Sequence, residues 1–388
     1  MTIVFYCNYL NHHQVAVADE MYGLLGEDFR FVATLPRDSS QLKGGGDYSS
    51  RPYCILAAET DEGHRQALEL AVEADVCLFG ACSQEYAVRR AVANPAGMAF
   101  EVGERWLKRG WLNVASPVLR AWWLNYRRYF RKANFYKLCS GAFVAGDDER
   151  LGCYKGRHYK WGYFTEVPSS DAPAVEASGQ CTSIMWCARF IDWKHPELAI
   201  LLAHNLKSKG HDFVIDMYGS GEYEAQSKAL AMRLGLDDVV KFKGTLPNEQ
   251  LRRQMREHSI FLFTSDRNEG WGAVANESLA NGCVLIASDA IGSSPYLIKD
   301  GVNGYMFRSA STSSGFKNPD KKALADLTDK VERLINDKAH LEEIRCQSAL
   351  IMRQLWHPRI AALNLLKLID DLRACGDTSI AEGPCSKA

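Results

Sequence analysis

The sequence predicts an α/β protein of two doubly wound, Rossmann-like domains that face each other across a cleft. Short apolar segments alternate with amphipathic ones along nearly the whole chain, which is typical of parallel sheets covered by helices. The chain has 388 residues, a length that fits two domains better than one. A stretch rich in Pro, Ser and Ala near the middle separates the two halves.

Composition excludes several classes of protein. The chain has 46 Lys and Arg against 47 Asp and Glu, so its net charge of −1 gives no overall basic field, and we predict no nucleic-acid partner. No apolar run approaches the roughly 20 residues that span a bilayer, and the first residues lack the basic region of a secretory signal. The 12 cysteines are scattered without a CxxC pair. We therefore expect a reduced, cytoplasmic protein without a structural metal.

The strands follow from the apolar segments. The first half has four candidates, at residues 3–6, 29–34, 76–79 and 142–145. The second half has five, each leading through a polar loop into a helix pattern, at residues 183–188, 213–218, 239–243, 260–264 and 284–287. Pro196 suits the first turn of a helix, and Asn281-Gly282 suits the end of another.

These elements divide the chain into five parts. We predict an N-terminal domain over residues 1–168, a linker over 169–180 and a ligand-binding C-terminal domain over 181–355. A helix over 356–374 has one apolar stripe, and we expect it to pack back at the domain junction. Residues 375–388 are predicted to form a flexible tail.

Polar residues follow the strands of the second half directly. Ligands of open α/β sheets bind beyond the carboxyl ends of the strands, so we expect these residues to line one ligand site: Arg189, Lys194, Gly219, Gly221, Thr245 and Glu269. Two cations, two glycines and a carboxylate suit a phosphorylated ligand that also carries hydroxyl groups.

The most specific signal is the segment that contains Glu269 and Glu277. Gly270 and Gly272 beside Glu269 allow backbone N–H groups to approach a ligand closely. The helix that follows directs its positive end to the same place, which favours an anion. Glu277 comes in the first turns of that helix, so both carboxylates are expected to accept hydrogen bonds from sugar or ribose hydroxyls.

At this point the sequence resembles the family-4 retaining glycosyltransferases of GT-B fold. The resemblance rests on two glutamates separated by seven residues in the context Glu-Gly-Trp-Gly, and it extends from residue 184 to about residue 307. Further matching phrases occur in the family's order: Arg189 followed by Lys194, Gly219-Ser220-Gly221, Phe242-Lys243-Gly244, Ala280-Asn281-Gly282 and Asp300-Gly301-Val302-Asn303-Gly304.

The resemblance implies a role for each matching position. Arg189 and Lys194 would bind the donor diphosphate, and Glu269 would lie near the donor sugar. The amides of Gly270, Trp271 and Gly272 would touch the sugar and the β-phosphate, and Glu277 would bind the ribose. His195-Pro196 stand where the family often has glycine after the lysine. Residues 292–296 differ from the family's Gly-Gly-x-x-Glu, so the donor sugar stays undetermined.

The function that the resemblance implies is retaining, metal-independent transfer of a sugar to a hydroxyl acceptor. The donor would be a nucleotide diphosphate-sugar, by default a UDP-sugar, bound by the C-terminal domain, with the acceptor on the N-terminal domain. The acceptor would be a glycan or a lipid-linked molecule of cell-surface polysaccharide or glycolipid synthesis. No cofactor and no metal are expected.

Three residues of the first half are candidates for that chemistry. Asn11 and His13 lie in the loop after the first strand, which we expect to face the cleft. Glu101 falls where the family has residues that contact the acceptor. We assign His13 to the catalytic group and the other two to substrate binding.

Residues 105–137 differ from the rest of the chain. They hold nine Lys or Arg residues and no Asp or Glu, interleaved with aromatic residues. This pattern suits an anionic membrane surface, and it adds the hypothesis of a peripheral position on the inner face of the membrane. A pair of exposed helices with solvated charges explains it equally well.

Two other functions fit the same residues. A GT-B epimerase would isomerise a nucleotide sugar without an acceptor. A non-catalytic nucleotide-sugar-binding protein would bind the donor without releasing nucleotide.

Overall fold

The computed structural model describes residues 1–36, 46–168 and 181–388. The predicted linker, residues 169–180, lies outside the described residues. The chain divides into two compact units, one of Met1–Glu166 with Leu355–Ala388 and the other of Val167–Gln354.

The first unit contains a seven-stranded sheet in the order β3-β2-β1-β4-β5-β6-β7, in which every described strand pair is parallel. Its strands are β1 (Ile3–Cys7), β2 (Phe29–Ala33), β3 (Cys54–Leu56), β4 (Val76–Phe79), β5 (Met98–Gly103), β6 (Phe135–Ser140) and β7 (His158–Trp161). Its helices are α1 (Val15–Leu25), α2 (Asp61–Glu73), α3 (Gln84–Ala93), α4 (Pro117–Arg128), α5 (Val144–Arg150) and, after the second unit, α13 (Pro358–Cys375).

The second unit contains a six-stranded parallel sheet in the order β10-β9-β8-β11-β12-β13. Its strands are β8 (Thr182–Cys187), β9 (Phe213–Tyr218), β10 (Val240–Gly244), β11 (Ile260–Phe263), β12 (Val284–Ser288) and β13 (Gly304–Phe307). Its helices are α6 (Pro196–Ser208), α7 (Glu224–Arg233), α8 (Asn248–Glu257), α9 (Val274–Ala280), α10 (Ser294–Leu297), α11 (Lys321–Asn336) and α12 (Lys338–Gln354).

The composition of the central strands explains why both sheets are parallel and covered. All residues of β1, β4, β11 and β12 are buried. Strands that are buried on both faces need near-continuous apolar runs instead of alternation. Helices therefore lie on both sides of each sheet, and the carboxyl ends of the strands are left for the loops.

One predicted strand of the first half is wrong. Residues 142–145 form a turn and the start of α5, and the strand is β6 instead. The sequence obscured β6 because Lys137 interrupts its apolar run. That lysine is buried, and its Nζ lies 2.6 Å from Oε1 of Glu101 on the neighbouring strand. The ion pair compensates for burying the charge.

The C-terminal residues also differ from expectation. The predicted flexible tail, residues 375–388, packs along β7: the amide of Cys385 donates to the carbonyl of Lys160 at 2.7 Å, and Cys385 is fully buried. Backbone pairing with the open side of β7 holds the segment in place. The preceding helix, α13, packs against α1 within the first unit, with an Arg359–Glu20 ion pair of 3.2 Å.

Candidate functional site

The second unit places its loops around a topological switch point. β8 lies between β9 and β11, and the chain leaves β8 toward one side of the sheet and β11 toward the other. A crevice at the carboxyl ends of two such strands is the usual ligand site of an open α/β sheet. The loop after β8 carries Arg189 and Lys194, and the loop after β11 carries Glu269.

These two loops are joined by an ion pair between Lys194 and Glu269. The ammonium of Lys194 contacts Oε2 of Glu269, which also accepts a hydrogen bond from Ser265 Oγ at 3.2 Å. The two charged side chains are 11% and 12% exposed, so they are shielded but open to a ligand. The Thr264 hydroxyl holds the loop by donating to the carbonyl of Lys194 at 2.6 Å.

Trp193 places the two cations of the first loop near each other. Nζ of Lys194 lies 4.3 Å from the centroid of the Trp193 ring, and Cζ of Arg189 lies 5.8 Å from it. Arg189 is exposed and has no carboxylate partner among the described residues. The site therefore offers one unneutralised cation beside a second that is paired with Glu269.

A buried histidine connects the same two loops, and the sequence analysis assigned it no role. His195 adopts a left-handed conformation, with φ 48° and ψ 56°. Its Nδ1 lies 2.8 Å from Glu197, and its Nε2 lies 3.5 Å from Asp266 in the second loop. Burial opposes protonation, but the two carboxylates outweigh it and raise the pKa of His195 to about 9. The imidazolium fixes the position of Lys194 relative to Glu269.

Two glycines after β9 allow its loop to pack against the loop after β8. Gly219 has φ +125°, and a Cβ there would lie 2.0 Å from the carbonyl oxygen of Ala188. A Cβ on Gly221 would lie 2.5 Å from the carbonyl oxygen of Phe190. Thr245, after β10, donates to Ser220 Oγ at 3.4 Å. These residues shape the backbone beside Arg189, and this packing role is independent of any ligand.

The Gly-Trp-Gly segment brings Gly272 against Glu269. Gly272 has φ +79°, and a Cβ there would lie 2.2 Å from Cζ of Phe263 and 3.3 Å from Cδ of Glu269. The side chain of Trp271 is fully buried, and its Nε1 donates to Asn276 at 2.7 Å. Its indole belongs to the core, so only its backbone is placed to meet a ligand. Gly270 is buried between Glu269 and this tryptophan.

Glu277 is the most unusual carboxylate of the unit. It lies in α9, is 5% exposed, and its Oε1 has no hydrogen-bond partner among the described residues. Burial raises the pKa of Glu277 to about 7, weakly opposed by the charge of Arg252. Burial is the main reason that the pKa of Cys187 is raised, and the charge of Glu277 raises it further. The Glu277 carboxylate therefore lies near Cys187, at the end of β8. A buried oxygen without a partner is costly unless a ligand satisfies it.

The predicted residues of the first unit have mainly structural contacts. Oδ1 of Asn11 accepts from the amide of His13 at 2.9 Å, and this turn precedes α1. The ring of His13 stacks on Tyr163 at 5.1 Å between centroids. Glu101 was predicted to bind an acceptor, but its carboxylate accepts from Trp122, Lys137 and Tyr154 at 2.6–2.9 Å. It therefore acts as an internal counter-ion.

A groove of about 720 Å³ lies at the carboxyl end of the first sheet. Glu101 lines it, together with Gln14, Glu104 and Trp106. Oε1 of Glu104 accepts from the Tyr163 hydroxyl at 2.7 Å. The remaining walls are largely aromatic and aliphatic, so the groove suits a ligand with an apolar face and a few hydroxyl groups.

The basic segment over residues 105–137 divides into paired and unpaired cations. Arg105 lies 3.2 Å from Asp147, Lys108 lies 2.9 Å from Glu104, and Lys137 pairs with Glu101. Four of its nine aromatic residues are buried in the core: Trp122, Tyr126, Phe130 and Phe135. Trp111 and Leu112 are 65% and 79% exposed. None of the described helices is both long and apolar enough to cross a membrane.

The second unit is similar to known proteins. Residues 178–345 match the family described as Glycosyl transferases group 1. The matched range contains every site residue from Arg189 to Glu277. The predicted resemblance is confirmed at this level, while the family-4 subdivision stays a prediction.

Individual relatives match over shorter ranges. The amylovoran biosynthesis glycosyltransferase AmsK of Erwinia amylovora is 32% identical over 136 residues, 34% of this chain and 33% of that protein. The D-inositol 3-phosphate glycosyltransferase of Streptomyces griseus is 36% identical over 89 residues, 23% of this chain and 18% of that protein. The chain thus spans a third or less of the length of these curated relatives.

A solved structure matches nearly the whole chain. Anabaena HepE in complex with UDP is 15% identical, covers 96% of this chain and 100% of its own, and has a TM-score of 0.67. This likeness confirms the predicted α/β fold of two doubly wound sheets.

Proposed function

We propose that this chain, whose residues 178–345 match the glycosyl transferases group 1 family, is a retaining glycosyltransferase of cell-surface polysaccharide or glycolipid synthesis. It would move a sugar from a nucleotide diphosphate-sugar, UDP-sugar by preference, to a hydroxyl acceptor without a metal. The observation that carries the proposal is the Lys194–Glu269 pair beside Arg189 at the switch point of the second sheet.

The diphosphate is the part of the donor that this site suits best. Arg189 has no carboxylate partner among the described residues, so its charge is available to a diphosphate. The diphosphate can also replace Glu269 as the ion-pair partner of Lys194. Breaking the bond between the sugar C1 and the phosphate oxygen leaves negative charge on the diphosphate. Fixed cations stabilise that charge in the transition state more than in the ground state. The departing phosphate oxygen accepts the proton of the acceptor hydroxyl, so the step requires no protein base.

The carboxylates suit the hydroxyl groups of the donor. Glu269, once Lys194 turns to the diphosphate, can accept from the sugar hydroxyls. Glu277 has a buried oxygen without a partner among the described residues, and a ribose hydroxyl would satisfy it. Support for uridine comes from HepE, which was solved with UDP. Support for a polysaccharide product comes from AmsK, a glycosyltransferase of amylovoran biosynthesis.

The acceptor is assigned to the groove of the first unit. Its aromatic walls can stack on the apolar face of a sugar ring, and Glu104 can accept from a hydroxyl group. His13 was predicted to be catalytic, but its ring stacks on Tyr163, whose hydroxyl donates to Glu104, so we propose that it orients the acceptor instead. A lipid-linked acceptor would bring the protein to a membrane, where the exposed Trp111 and Leu112 suit the headgroup region.

The first experiment is a thermal-shift panel of UDP, GDP, TDP and ADP with and without EDTA. The correct nucleotide raises the melting temperature by mass action, by an amount equivalent to about 2.7 kcal/mol at a hundredfold excess over Kd. Arg189→Ala should abolish the shift, whereas Lys228→Ala, on the exposed face of α7, should leave it unchanged. If none of the four nucleotides shifts the wild type, the proposal fails.

The second experiment determines the stereochemistry. The product formed from a UDP-α-sugar is analysed by proton NMR, and an α linkage is the expected result. A β linkage would contradict retention, and donor isomerisation without transfer would favour an epimerase.

A further inference from the structure

The first unit has a second groove that no part of the proposed transfer uses. It has a volume of about 520 Å³ and lies where the end of α4 meets the segment between α5 and β7. The residues that line it include two aromatic residues and four cations, namely Trp123, Tyr126, Arg127, Arg131, Lys155 and Arg157. The lining therefore contains four cations and no carboxylate.

None of the four cations is neutralised by an ion pair among the described residues. Arg105 and Lys137, in the same basic segment, both pair with a carboxylate. Arg127, Arg131, Lys155 and Arg157 are exposed at the walls of one concave surface. Like charges repel, and a concave wall focuses their field, so the arrangement favours an anion between them.

Two of the guanidinium groups are held in place. Arg127 lies over the Trp123 ring at 4.8 Å, and Nε1 of that tryptophan donates to the carbonyl of Leu151 at 3.0 Å. Arg157 donates to the carbonyl of Phe135 at 3.3 Å and lies over the Tyr136 ring at 5.6 Å. A guanidinium that is already oriented loses less conformational entropy when it binds an oxyanion.

Tyr126 adds a neutral donor to the same groove. Its hydroxyl oxygen accepts from the amide of Tyr154 at 2.8 Å, which leaves its own O–H available to donate. The side chain is 7% exposed, so a hydrogen bond made there is partly shielded from water. Burial raises the pKa of the Tyr126 phenol, and the positive charges of Arg157 and Arg131 oppose that rise. The phenol therefore lies in the electric field of both arginines.

We infer that this groove is a binding site for a phosphate group, separate from the nucleotide site of the second unit. Several arginines around one concavity match the oxygens of a phosphomonoester or phosphodiester, to which each guanidinium can donate twice. The phosphate can belong to a lipid headgroup or to a soluble molecule, and the two sources are distinguished by experiment.

The test compares two double variants with equal loss of charge. Arg127→Gln with Arg131→Gln removes two cations from the groove. Arg128→Gln with Lys132→Gln removes two exposed cations from the same stretch that do not line it. Each protein is measured by co-sedimentation with vesicles of phosphatidylglycerol and phosphatidylcholine, and with vesicles of phosphatidylcholine alone. Binding of sn-glycerol 1-phosphate is measured by titration calorimetry.

The groove variant should bind its phosphate about 30-fold more weakly than wild type, since each cation near an anionic surface contributes about 1 kcal/mol. The matched variant should lose less than about threefold. Lys155→Gln alone should lose about fivefold, and it leaves α4 intact if the double variant misfolds. A selective loss on vesicles identifies a lipid headgroup, and a selective loss with glycerol phosphate identifies a soluble ligand.

Two results would overturn the inference. Equal losses in the two double variants would mean a diffuse basic surface without a site. Absence of wild-type binding to both probes would mean that the groove binds no phosphate. Because the thermal shift by UDP is measured on the same variants and should not change, failure of the groove is distinguishable from failure of the proposed transfer.

Discussion

Replacing Glu277 by Gln should stabilise the unliganded protein at high pH. The carboxylate is desolvated in the folded state, where its pKa is about 7, against an ordinary value of 4.5 for a glutamate in water. A difference of about 2.5 pKa units corresponds to about 3 kcal/mol, at 1.36 kcal/mol per unit. Since the folded pKa is raised, the wild type has its full stability below pH 4.5 and loses this contribution as the pH rises through 7.

The assay is urea unfolding of wild type and Glu277→Gln at pH 5 and pH 8. The neutral amide removes the cost of burying charge, so the variant should gain about 3 kcal/mol at pH 8 and less than about 1 kcal/mol at pH 5. Glu249→Gln is the matched control. Glu249 is 70% exposed, and its ion-pair partner among the described residues is Arg253 on the same helix, so its change should stay within about 0.5 kcal/mol at both values of pH.

The same variant should bind nucleotide less well. A hydrogen bond from a ribose hydroxyl to a carboxylate is stronger than one to an amide, and its loss should weaken UDP binding by about 10- to 100-fold. A variant that is destabilised equally at both values of pH would show that the carboxylate is satisfied inside the protein. Unchanged UDP affinity would remove Glu277 from the site.

Three further predictions concern the loops around the switch point. Lys194→Met should lower the turnover of donor about 10²- to 10³-fold, because the charge that it removes is used in the transition state; near-normal turnover would contradict this role. His195→Ala should cost about 3–5 kcal/mol at pH 6, measured by urea unfolding, because two buried carboxylates lose their shared cation. That contribution is complete below pH 6.5 and disappears as the pH rises through 9, so an equal cost at pH 10 would show that the imidazolium is not its cause. Gly219→Ala should cost about 3 kcal/mol or more, since its Cβ would meet backbone, whereas Gly235→Ala, which has φ +64° and nothing within 4 Å, should cost only about 1–2 kcal/mol. Equal melting temperatures of the two alanine variants would refute the packing argument.

Much of the second unit was predictable because its strands can be recognised from their apolar runs in the sequence. Buried parallel strands need continuous apolar runs, and a polar residue directly after such a run must lie at the carboxyl edge of the sheet. Arg189, Lys194 and Glu269 were found by this reasoning, and the structure brings the last two into contact. The first unit was less predictable, since β6 carries a buried lysine that only a partner on β5 makes tolerable.

The sequence alone determined the order of strands and helices and which residues follow each strand, because apolar periodicity is a local property of the chain. The tertiary structure decided which loops become neighbours. β8 lies beside β11, and this pairing places His195 between two carboxylates. Likewise, the cations at the end of α4 meet Lys155 and Arg157 only because the segment between α5 and β7 folds back against that helix. Burial, pKa shifts and clusters of charge all depend on contacts between residues far apart in the chain, and no local pattern encodes them.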